Sequence, residues 1–106
     1  MLMLEQQLER LAAHNINLIP AAEITTHFIF ERDGFVALVE RKEEGFGNVG
    51  APGLLIEETG GFAAMVWRGA EDPWFVARGF EQRATDEQVA KLRRFDRDLR
   101  DALEIA

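Results

Sequence analysis

Leu4, Leu8, Leu11 and Ala12 recur at three- and four-residue steps near the start of the chain. That spacing puts one apolar stripe on a helix and predicts an element over residues 3 to 14, with Gln6, Gln7, Glu9 and Arg10 on the wet side. Asn15 can take the left-handed conformation that closes a helix, and Pro20 bars any continuation. A second stripe, Val89, Leu92, Phe95, Leu99 and Leu103, predicts a helix over residues 86 to 104. Thr85 is a good N-cap, and Gln88 three residues on completes a capping box. Asp86 and Glu87 fall in the positive first turn.

Between these helices the apolar period falls to two. Residues 23 to 32 and 35 to 42 read as strands joined by Asp33-Gly34, a strong two-residue hairpin signal. Such a turn fixes the register. Arg32 faces Phe35, Phe30 faces Ala37 and Phe28 faces Val39 on the expected core side, which Ile24 shares. Glu31 faces Val36, Ile29 faces Leu38 and His27 faces Glu40 on the other. Residues 45 to 53 are rich in glycine and read as a connecting loop. Residues 54 to 59 and 62 to 68 form a second expected hairpin around Gly60-Gly61. Its two-residue register sets Leu54 against Trp67, Ile56 against Met65 and Glu58 against Ala63. Residues 74 to 81 make a fifth strand, with large apolar side chains on both faces. The pattern therefore predicts one α+β domain over residues 1 to 106. Its core is an antiparallel meander of about five strands, flanked by an N-terminal and a C-terminal helix.

Composition narrows the chemistry. The chain has 106 residues, 47% hydrophobic and 29% charged, which is the balance of a globular protein. It has no Cys, Ser or Tyr. Disulfides, thiolate metal sites and serine or cysteine nucleophiles are excluded. Two His residues cannot make a three-histidine zinc site. The formal net charge of −7 opposes nucleic-acid backbones and anionic membranes. No run approaches the roughly 20 apolar residues of a membrane span, and the start lacks a basic leader region, so a cytoplasmic location is expected. Neither a cofactor nor a metal is implied by any motif.

The candidate polar residues are few. His27 and Glu40 are expected as direct cross-strand neighbours, with Thr25 and Glu23 on the same face. A carboxylate beside an imidazole can orient a general base, or it can be an ordinary surface pair. The 45–53 loop matches neither the phosphate-loop nor the dinucleotide fingerprint. Arg68 and Glu57 share a side, and Arg78, on a strand whose register the pattern leaves open, could join them to meet a carboxylate, or all three stand as solvated charges. Trp67 and Trp74 read as core or interface mass.

The expected second face of the sheet is more informative. It carries Ile29, Val36, Leu38, Leu55, Phe62 and Val66, and two helices can cover only one face. Apolar patches rimmed by charge mark interfaces. The leading expectation is a non-catalytic, acidic, homodimeric interaction protein that also binds a partner protein or peptide. The alternative is a small-ligand module with its pocket near His27, Glu40 and the 45–53 loop. A third reading is an enzyme with His27 as general base.

Overall fold

A computed structural model describes residues 3–20, 25–43 and 45–103. Helix α1 spans Leu4–Ala13 and α2 spans Asp86–Leu103. Between them run β1 (Asn17–Ile19), β2 (His27–Arg32), β3 (Phe35–Lys42), β4 (Gly45–Val49), β5 (Gly53–Ile56), β6 (Gly61–Trp67), β7 (Pro73–Ala77) and β8 (Phe80–Arg83). Among the described residues all pairings are antiparallel, in the order β1-β2-β3-β5-β6-β7-β8, with β4 paired to β3 alone. The class is α+β with one sheet and a helix at each end, as the periodicity implies.

The helix ends follow the local chemistry. Thr85 and Gln88 bond reciprocally, Thr85 N–H to Gln88 Oε1 at 2.8 Å and Gln88 N–H to Thr85 Oγ1 at 3.1 Å. Asn15 takes φ 58° after α1, and Ile16 N–H returns to the Leu11 carbonyl at 3.0 Å. The β2–β3 hairpin has the expected register at every pair from His27↔Glu40 to Arg32↔Phe35. Asp33 and Gly34 both have positive φ, 54° and 87°, which matches the right-handed twist of the strands they join.

Among the described residues the sheet has eight strands rather than about five. Residues 45–49 of the expected loop are a strand, and Phe46 packs edge-on against Phe28 and Phe30 at 5.1 and 5.6 Å. Its glycine content is local fit. A Cβ on Gly47 would lie 2.7 Å from Glu40 Oε1 and 2.8 Å from Glu40 Cβ. Residues 74–81 are not one strand, because Arg78-Gly79 turns the chain and pairs Ala77 with Phe80. Asn17–Ile19 adds an edge strand that its three residues were too few to announce.

The β5–β6 hairpin is also corrected. Leu54 pairs with Ala63 and Ile56 with Gly61, because the turn takes Glu57 to Gly60, with Gly60 at φ 72°. Relative to a Gly60-Gly61 turn the partner of Leu54 moves by four residues. An even slip keeps every side chain on its face, so the core assignment of Ile56 and Ala63 stands.

The core lies between the sheet and α2. Phe30, Phe35, Val39 and Phe75 from the sheet meet Phe95 and Leu99 of α2, all buried. Leu11 brings α1 into the same cluster, and Gln7 Nε2 donates to the Leu103 carbonyl at 3.2 Å. Against β3, the β4–β5 segment carries one extra residue. Val39 pairs with Val49 but Val36 with Gly53. The β5–β6 ladder ends at Gly53↔Ala64, and Met65–Trp67 continue with β7 alone. Arg100, held by Asp96 at 3.0 Å, donates to the Val49 carbonyl at 3.3 Å and supplies a partner on the side of β4 away from β3.

Candidate functional site

Register alone draws a cross-strand row on the sheet face away from the core. It runs Glu31↔Val36↔Gly53↔Ala64↔Val76↔Glu81, charged at both ends and apolar between. The middle of this row is small, and larger side chains flank it: Leu38 on one side, and Leu55 with Phe62 on the other. The result is a groove of about 260 Å³ lined by Val36, Leu38, Gly50, Gly53, Phe62 and Ala64. Gly53 is required there, since a Cβ would drive into the Ala63 carbonyl oxygen and lie 3.2 Å from its carbon.

Four of the six residues expected on this face, Leu38, Leu55, Phe62 and Val66, keep part of their surface open, Val66 most at 39%. The other two do not. Ile29 and Val36 are only 4% and 2% exposed. Ile29 stands in register between Ile19 and Leu38, and Val36 between Glu31 and Gly53. Both are buried, so they line the face from below and add little contact area to it.

His27 and Glu40 are the predicted strand neighbours, but their polar atoms engage others. His27 Nδ1 lies 2.8 Å from Thr26 Oγ1. Glu40 Oε1 accepts Asn48 N–H at 3.2 Å and lies 3.4 Å from Lys42 Nζ. The Asn48 N–H and the Lys42 charge hold the Glu40 carboxyl below its usual range, with a smaller contribution from His27. Asn48 lies in the stretch where β4 slips against β3, so the Glu40 carboxylate satisfies a backbone donor at an irregularity. That accounts for an acid here without catalysis. A hollow of about 110 Å³ beside His27 is walled by Leu18, Ile19, Phe28 and Arg41 among others, well below the roughly 300 Å³ at which small-molecule pockets begin. Glu23 lies outside the described residues, as does Ile24.

The arginines do not gather. Arg68 pairs with Glu81 and stacks over Trp74 at 4.6 Å. Arg78 is exposed in the β7–β8 turn and Glu57 in the β5–β6 turn. Pairing Ala64 with Val76 places Arg68 and Arg78 at opposite ends of the β6–β7 ladder, about 20 Å apart at the rise of a strand.

Two features escaped sequence reading. The first ties three elements together. Arg32 Nη1 donates to Asp98 Oδ2 at 2.9 Å and to the His14 carbonyl at 3.2 Å, and its guanidinium lies 5.7 Å from the Phe95 ring. Partial burial pushes the Asp98 carboxyl up, but the Arg32 hydrogen bond and charge, with His14 and Arg97, bring it below the usual range. The second is a cleft of about 730 Å³ between the start of α2 and the β6–β7 turn. Its signal was present as Asp86, Val89, Ala90 and Arg93 at helical spacing, opposite a tryptophan at a strand end.

Among the described residues no group of three or more His, Asp or Glu could hold a metal ion, and no helix is long and apolar enough to cross a membrane. Comparison with protein-family models, curated proteins and solved structures finds no match for this chain.

Proposed function

We propose that the chain is a non-catalytic, self-associating interaction protein that joins a second copy of itself through the outer sheet face. The observation that carries this is the apolar groove over Gly53 and Ala64, edged by Leu38 and Phe62. The molecule is a slab of 39 × 28 × 19 Å. Its thinnest dimension matches a sheet and one helix layer, packed about 10 Å apart, and the described residues form no third layer outside. Phe62 and Leu38 of one copy fit the trough of the other about a twofold axis, an arrangement that uses the same patch twice. A chain of net charge −7 meets its own copy best through an uncharged strip. Dimerisation would leave the helical layers free for a partner protein or peptide.

Light scattering coupled to size exclusion tests this directly. At roughly 10–100 μM, where standard-sized interfaces are occupied, the expected mass is twice 12.0 kDa. Phe62→Glu or Val66→Glu should return the monomer with unchanged circular dichroism, because both side chains are partly exposed. A wild-type monomer across that range overturns the reading.

A further inference from the structure

Trp67 closes β6 on the core side of the sheet, yet α2 leaves it 46% exposed. The first turns of α2 run past it, so Asp86, Val89, Ala90 and Arg93 face it together. Glu71 and Pro73 stand opposite, and Arg83 closes the rim. The volume, about 730 Å³, lies inside the range of ligand sites.

The charges in this wall are not all matched. Arg83 is occupied, with Asp72 Oδ1 at 3.0 Å and the Glu71 carbonyl at 3.1 Å. Arg93 lies over the Trp67 ring at 5.6 Å, and no carboxylate of the described residues pairs with it. A guanidinium laid against an indole keeps its donor edge free for a planar acid. The Glu71 and Asp86 side chains are exposed and likewise form no ion pair among the described residues. The free complement is therefore one cation and two anions around an apolar floor of Trp67, Pro73 and Val89.

We propose that this cleft binds a zwitterionic ligand of the amino-acid or short-peptide class. Its apolar body lies on Trp67, its carboxylate meets Arg93, and its ammonium group faces Glu71 and Asp86. A lone anion would be repelled by the two acids, and a lone cation would leave Arg93 without a partner. The same chemistry is offered by a free amino acid or by a segment of a partner protein with both charges in its side chains. The site is independent of the outer sheet face, so the self-association reading and this one can fail separately.

The test is Trp67 fluorescence in a Trp74→Phe protein whose circular dichroism matches wild type. The probes are phenylalanine, phenylacetate, phenethylamine, and a capped tripeptide of lysine, phenylalanine and glutamate. Saturable change with phenylalanine below about 10 mM supports a free ligand, and saturation only with the tripeptide supports a protein segment. In either case phenylacetate and phenethylamine should bind at least about tenfold more weakly, and Arg93→Gln should weaken the zwitterion about tenfold or more. No saturation by either zwitterion, equal binding of the single-charge probes, or an indifferent Arg93→Gln overturns the proposal.

Discussion

At the scale of single residues, two glycines serve the fold through what they leave out. Gly53 is buried, and a Cβ on it would run into the backbone of β6 at Ala63. A methyl group there meets a backbone carbonyl, which cannot rotate away as a side chain can. Gly53→Ala should therefore destabilise the protein by about 1–3 kcal/mol, the usual cost of overpacking. Urea denaturation monitored by circular dichroism would show a lower midpoint with an unchanged slope. A midpoint equal to wild type would mean that β5 and β6 are not so close. Gly34→Ala is the useful contrast. Space around it is open, but φ is 87°, so strain comes from the backbone alone. Glu40 shows the same economy in a charged residue, since its carboxylate is spent on the Asn48 N–H at the β3–β4 irregularity.

Between elements, the most informative contact is the Arg32–Asp98 pair. It joins the end of β2 to the middle of α2, and through the His14 carbonyl it holds the end of α1. Both side chains are largely shielded, 16% and 18% exposed. The Asp98 carboxyl is depressed in the folded state. Its contribution is thus present above the unfolded carboxyl value, near 3.9, and is lost as pH falls through the lower folded value. Asp98→Asn should cost about 1.5–3 kcal/mol at pH 7, the range for a hydrogen bond to a charged group. Between about pH 5 and pH 2 the difference from wild type should shrink. A difference independent of pH would show that the carboxylate charge does not stabilise the fold.

The elements also show what the sequence could reveal. The β2–β3 register was legible because Asp33-Gly34 permits one tight turn geometry and alternation on both sides agrees with it. The β5–β6 register was not. Gly60-Gly61 resembles a two-residue turn, while the four-residue turn that forms is specified only by its left-handed Gly60. Arg78-Gly79 went unseen because Arg78 is not a turn former and apolar residues continue on both sides. Glycine in β4 hid a strand whose reason for glycine is a neighbour's side chain, and that is a tertiary fact. The same holds for the cleft, since Trp67 and Arg93 are 26 positions apart in the chain and only the packing of α2 brings them within 5.6 Å. The uncovered face was legible in part. Alternation places a side chain on a face but cannot tell that Val36 is buried while Val66 is open.

For the whole molecule, the sheet is supported unevenly along its width. β2 and β3 pair over six residues with Phe30, Phe35 and Val39 beneath them, packed against Phe95 and Leu99. β1 pairs over three residues and forms one edge. β8 forms the other, with Glu81, Gln82 and Arg83 all exposed. Local opening costs least where few apolar contacts are broken. Native-state hydrogen exchange should rank the amides accordingly, slowest in the β2–β3 ladder and the central turns of α2, and fastest in β1 and β8. The outer face adds a second expectation. If two copies meet there, Leu55 and Val66 amides should become more protected as protein concentration rises, because association stabilises the folded state by mass action. Amides of β1 should not respond. Concentration-dependent protection at β1 instead, beside the exposed Leu4, Leu8 and Leu18, would place the contact between copies on that edge and refute the groove. The two surfaces lie on different elements, so a single exchange series at two concentrations separates them.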